Sequence, residues 1–156
     1  MGPLTPVAIR VGAIPWLPRF LPQIVWLDRL IQKASRGRIT LLDIAGLPNA
    51  MLTVAGRETG QPRSTPLLCV PYGANYLIAG SYFGGPKEPL WVGNLEAAGE
   101  GSLRIDGRTM PISAHLVGPG ERAKVWAHLL ETWPNFARYE QRTDREIKVF
   151  ELIPRA

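Results

Sequence analysis

Two arginines, Arg57 and Arg63, stand six residues apart in the run Gly56-Arg57-Glu58-Thr59-Gly60-Gln61-Pro62-Arg63. Their guanidiniums present forked donors matched in shape to phosphate or carboxylate. Gly56 and Gly60 let the backbone turn its amides toward a ligand, and Thr59 adds a hydroxyl. The chemistry on offer is recognition of an anion. Apolar residues 50–55 precede the run and Ser64-Thr65-Pro66-Leu67-Leu68-Cys69-Val70 follows it, which predicts strand, loop, strand. Spacing alone also suits a solvated hairpin, because connecting loops are commonly polar and exposed.

The elements that position this loop can be read along the chain. Residues up to about Pro18 read as an irregular arm turned by prolines. From Phe20 to about Ser35, Phe20, Ile24, Leu27, Leu30 and Ile31 follow helical spacing, with Arg29, Lys33 and Arg36 on the polar face. Two readings of that helix stay open. It either rests on a barrel through its apolar face, or lies on anionic lipid with Trp16 and Trp26 near the headgroups. Strands are expected at about 40–44, 50–56, 64–71 and 75–81, with a hairpin turn at Pro71-Tyr72-Gly73-Ala74. A helix follows from Pro86 to Ala97, then a hairpin of 103–105 and 109–117 turning at Asp106-Gly107. Helices at 119–132 and 136–141 and a strand at 147–152 complete the set. Six or seven strands with few helices give an α+β protein, a small β-barrel decorated with helices. The arm and amphipathic helix take residues 1–38, and the barrel takes 39–156.

Composition narrows the classes. At 156 residues the chain is one domain large enough for a real core. Its net charge of +5 favours anionic partners. Nucleic-acid binding would call for a clustered basic stripe with exposed aromatics. The basic residues are instead scattered, apart from the loop and Lys33, Arg36 and Arg38, so no nucleic-acid partner is expected. Cys69 has no partner for an internal disulfide, which agrees with a cytoplasmic location. His115 and His128 are isolated, so no metal site is expected. Pro15, Pro18, Pro22, Arg19 and Asp28 interrupt the apolar stretch from Val11 to Ile31, leaving no span of the ~20 residues a bilayer requires. Peripheral contact with the inner face of the cell membrane remains open.

Further blocks accompany the loop: Thr65-Pro66-Leu67, Ala79-Gly80-Ser81, Gly84-Gly85-Pro86-Lys87-Glu88-Pro89-Leu90-Trp91-Val92-Gly93-Asn94-Leu95, and Trp133-Pro134-Asn135-Phe136 with Tyr139 and Arg142-Thr143-Asp144-Arg145. In order and spacing, from about Leu41 to Pro154, the chain resembles the deazaflavin-dependent nitroreductase family, actinobacterial reductases that use coenzyme F420. The resemblance implies a split barrel of the type that binds flavin mononucleotide (FMN). It also implies hydride transfer from reduced coenzyme F420 to an enone or quinone, and to nitro compounds as a further class. An FMN enzyme on the same barrel, or a non-enzymatic deazaflavin carrier, is the alternative.

The resemblance places the cofactor's phosphate and glutamate tail on Arg57, Thr59, Gln61 and Arg63, with Glu58, Gly60 and Pro62 in the same cofactor-binding loop and Lys87 and Asn94 nearby. Thr65, Pro66, Ala79, Gly80, Ser81 and Trp91 would line the ring, Ser81 bonding a substrate carbonyl. Trp133, Phe136 and Tyr139 would wall the substrate pocket, with Tyr139 as proton donor. Trp133 and Phe136 stand where the nitroreductase that names the family has tyrosines, which favours flat apolar acceptors. Glu58 and Tyr82 stand where relatives can carry lysine, which removes positive charge near the tail.

Overall fold

The computed structural model describes residues 3–13, 21–34, 46–81 and 87–155. The expected strand at 40–44, Trp16, Arg36, Arg38 and Tyr82 lie outside the described residues. Among the described residues, seven strands form one antiparallel sheet: β1 (Asn49–Ala55), β2 (Pro62–Leu68), β3 (Val70–Tyr72), β4 (Asn75–Ala79), β5 (Glu100–Ile105), β6 (Arg108–Leu116) and β7 (Val149–Pro154). Their order is β2-β1-β5-β6-β7-β4-β3. The two outer strands, β2 and β3, are separated in the chain by Cys69 alone. The sheet therefore curls until its ends meet along one bent run of backbone. This is the helix-decorated split β-barrel expected from the sequence.

Alternation along the strands builds two cores, because successive side chains point to opposite faces. Leu52, Ile78, Leu103, Ile112 and Phe150 face inward, where helix α3 (Leu90–Ala98) plugs the barrel with Trp91, Val92 and Leu95. Their neighbours Leu77 and Val149 face outward and meet α4 (Pro119–Thr132) and α5 (Phe136–Arg142) through Leu129, Trp133, Phe136 and Tyr139. Each fully buried side chain of this size contributes about 1.5–3 kcal/mol of transfer free energy. Cys69 belongs to the inner core, and burial pushes its thiol up to about 12, so it acts as a small apolar filler.

The turns follow local chemistry. Asp106 (φ 50°) and Gly107 (φ 80°) make the β5–β6 hairpin, as an Asp-Gly pair should. Gly99 ends α3 in the left-handed region, its N–H bonded to the Leu95 carbonyl at 2.8 Å.

The N-terminal segment departs from the expected irregular arm. Thr5–Gly12 form helix α1, docked on the outer core through Ala8 and Ile9. The Asn135 amide donates to the Ile9 carbonyl and Arg142 donates to that of Ala13. Pro6 supplies a helical φ in the first turn, while Leu4 at the N-cap offers no side-chain acceptor. Helix α2 (Leu21–Ala34) lies where helical spacing put it, but its inward face differs. Ile24, Val25, Asp28 and Ile31 are half-buried, whereas Trp26, Leu27 and Leu30 are exposed at 64%, 43% and 47%.

Candidate functional site

The loop between β1 and β2 closes on itself. Gly56 N–H donates to the Gln61 carbonyl (2.8 Å) and Gly60 N–H to the Gly56 carbonyl (2.7 Å), with Gly60 at φ +72°. Thr59 Oγ1 accepts from Gln61 N–H at 3.3 Å, so this hydroxyl helps fold the loop. A second tie runs to α3: Arg57 N–H donates to Asn94 Oδ1 at 3.1 Å.

The Arg57 guanidinium lies over Gly93, one turn into α3. A Cβ built on Gly93 would stand 1.6 Å from an Arg57 terminal nitrogen. Glycine at 93 is thus the seat for the cation. The sequence singled out Asn94 and passed over Gly93, which reads as an ordinary helix glycine until Arg57 is brought against it.

Beside this loop opens a cleft of about 650 Å³. Arg57, Glu58, Thr59, Pro62, Arg63, Thr65, Trp91 and Asn94 of the expected cofactor residues line it, joined by Ser64 and by Arg29 of α2. Leu52, Val54 and Leu90 give it an apolar wall next to Trp91. Among the described residues, the three guanidiniums make no ion pair. Guanidiniums without an ion pair among the described residues, together with an aliphatic and indole surface, suit a ligand with an anionic end and a flat ring.

Other expected residues sit apart from this lining. Gly60, Gln61 and Pro66 belong to the loop and to β2 without lining the cleft, and Lys87 is exposed. Gly80 is buried beneath α3, where an added Cβ would stand 2.7 Å from Val92 Cγ2. Its small size permits that close approach of strand end to helix. Ala79 packs against the outer core. Ser81 is half-buried just past β4. The Arg145 fork fixes this strand end, donating to the Gly80 carbonyl at 2.9 Å and the Ser81 carbonyl at 2.8 Å. Charge-assisted bonds of this kind are worth about 1.5–3 kcal/mol.

Trp133, Phe136 and Tyr139 come together in the outer core and do not line the cleft of Arg57. Tyr139 is 1% exposed; its hydroxyl accepts from Trp133 Nε1–H at 3.1 Å, and its ring meets Phe136 edge-on. Burial pushes the Tyr139 pKa up to about 12, with the Trp133 hydrogen bond and Arg142 acting the other way. The three-residue spacing does put the aromatics on one side of the segment, and that side faces the barrel's outer wall.

The curled sheet and its helical plug define a split-barrel protein, with a cationic cleft beside the β1–β2 loop. A family model described as F420H(2)-dependent quinone reductase matches residues 27–154, and the chain belongs to that family. Rv3178 of Mycobacterium tuberculosis, provisionally named an F420H(2)-dependent quinone reductase, is 27% identical over 109 residues, covering 70% of this chain and 92% of its own. A solved F420-H2 dependent reductase, FDR-A, is 31% identical with a TM-score of 0.62, over 67% of this chain and 93% of that one. HutZ, a heme storage protein from Vibrio cholerae, shares the fold alone: its TM-score is 0.54 at 16% identity, over 69% of this chain and 82% of its own. Membership makes the protein a coenzyme F420-dependent oxidoreductase acting on a small molecule, and decides the cofactor in favour of coenzyme F420 over FMN.

Proposed function

We propose that the chain reduces quinones, and secondarily enones with an activated C=C bond, using coenzyme F420 bound in the cleft of Arg57 and Arg63. The observation that carries this reading is the set of guanidiniums, without an ion pair among the described residues, in a cleft that also has an apolar wall. Coenzyme F420, when bound and reduced, supplies a hydride. The chain's own residues bind, orient and shield. Arg57, seated on Gly93, and Arg63 hold the anionic end. Leu52, Val54 and Trp91 exclude water from the ring side. Ser81, at the strand end gripped by Arg145, bonds the acceptor carbonyl and steadies the developing oxyanion. A proton from water then completes the hydroquinone or saturated ketone. Nothing in the cleft favours nitro groups over these acceptors.

The test is anaerobic oxidation of reduced coenzyme F420 with a benzoquinone, a naphthoquinone, a cyclic enone and a nitroimidazole. Quinones should turn over fastest. Tight binding of the cofactor without turnover of any acceptor would make the protein a carrier. Tight binding of FMN with none of coenzyme F420 would place the cleft in another enzyme class.

A lipid surface is the proposed setting. Leu4, Val7 and Val11 form one exposed apolar face beside Arg10, and Trp26, Leu27 and Leu30 form another beside Lys33. Apolar faces bearing a tryptophan and flanked by cations are the features of interfacial helices on anionic lipid. No helix among the described residues is long and apolar enough to cross a membrane. The double variant Leu27→Ser/Leu30→Ser should lose sedimentation with phosphatidylglycerol vesicles while keeping its melting temperature. Equal sedimentation by both proteins would remove the lipid from the reading.

A further inference from the structure

We propose that Arg29 of α2 is a third anion-binding residue of the cofactor cleft, so that α2 and the β1–β2 loop both hold the acidic end. This inference rests on the cofactor placement proposed above. Arg29 lines the same cleft as Arg57 and Arg63 although it comes from a helix well before the barrel in sequence. Among the described residues it makes no ion pair, so its charge is available to a ligand. The half-buried face of Ile24, Val25, Asp28 and Ile31 orients α2, and Arg29 follows Asp28 on the flank of that face.

Charge balance gives the residue a purpose. Glu58 lines the cleft too, and offsets one of the two loop arginines. A phosphate with a string of carboxylates needs more surplus positive charge than the loop alone then provides. Arg29, a further cation lining the same cleft, restores it. The guanidinium is suited to either oxyanion, since its planar fork matches carboxylate and phosphate alike. The ligand chemistry assigned to Arg29 is therefore an anionic oxygen of the cofactor's phosphate–glutamate end.

Equilibrium titration of the full chain, by calorimetry or by fluorescence, tests the assignment without turnover. Two ligands are used: coenzyme F420 with its glutamate tail, and the phosphate-bearing form that lacks glutamates. Arg29→Gln should weaken binding of the tailed cofactor by about tenfold, the scale of one charge-assisted hydrogen bond. Arg29→Lys should recover part of that loss, and Lys124→Gln, the same charge change on the exposed face of α4, should stay within about twofold. A loss confined to the tailed form assigns Arg29 to a carboxylate. An equal loss with both forms assigns it to the phosphate. Wild-type affinity of Arg29→Gln for both ligands, while Arg57→Ala and Arg63→Ala bind weakly, overturns the role of Arg29 alone. Wild-type affinity in all three variants overturns the cofactor placement itself.

Discussion

Replacing Arg57 or Arg63 with alanine is expected to weaken coenzyme F420 binding by about 1.5–3 kcal/mol each, the range for a charge-assisted hydrogen bond to an oxyanion. Both line the cleft, and neither has an ion-pair partner among the described residues. The substitutions should leave the melting temperature almost unchanged, because both residues are exposed. Gly93→Ala should give a smaller loss through the same side chain. Its methyl would occupy the space where the Arg57 guanidinium lies, and a flexible arginine can move aside. Calorimetric titration of the three variants measures the order directly. Unchanged affinity in Arg57→Ala and Arg63→Ala would mean that the loop is only a hairpin.

Tyr139→Phe is expected to cost stability. The Trp133 indole N–H would lose its buried acceptor, at a desolvation cost of about 1–3 kcal/mol. For a chain of this length that lowers the melting temperature by roughly 2–4 °C per kcal/mol. The hydroxyl also has a pH signature. Its folded pKa of about 12 lies above the ordinary tyrosine value of 10.0, so the unfolded chain loses this proton first as pH rises. The group's contribution is complete below pH 10 and is lost between pH 10 and about 12, a decline that Tyr139→Phe should lessen. Coenzyme F420 affinity should hold, since Tyr139 does not line the cleft. Turnover that falls about tenfold while stability is unchanged would instead place the hydroxyl in the chemistry, as a lost proton donor can cost that much or more.

The parts of the fold that sequence made legible are those whose signals are local. Asp106-Gly107 is a turn pair with few other uses, and Pro119 opens a helix whose inward Val125 and Leu129 are one turn apart. The loop from Gly56 to Arg63 carries its own turn residues and its own charge. What stayed hidden depends on partners distant in sequence. Helix α1 has no side-chain cap, and it is held by packing of Ala8 and Ile9 on the outer core and by bonds from Asn135 and Arg142, far along the chain. The break at Cys69 is marked by no glycine, because barrel closure imposes it. Arg29 reads as one more cation on a polar helix face until the fold brings it into the cleft that Arg57 also lines. Gly93 is silent for the same reason. The aromatic triplet shows the limit from the other side: spacing gave its shared face but not what that face meets.

β7 is the last of the seven described strands in chain order, yet it lies inside the sheet between β6 and β4. Synthesis runs from the N-terminus, so the ribosome releases the loop of Arg57 and Arg63 long before the strand that joins the two halves of the sheet. Until then β4 and β6 each present an open edge, with Ile78 and Leu152 not yet joined in one core. The loop hairpin pairs locally, Thr53 with Ser64, while closure waits for contacts such as Ile78 with Phe150, which span about half the chain. A nascent chain stalled before Val149 would therefore display its cationic loop on an unfinished sheet, needing shelter from other strands rather than cofactor.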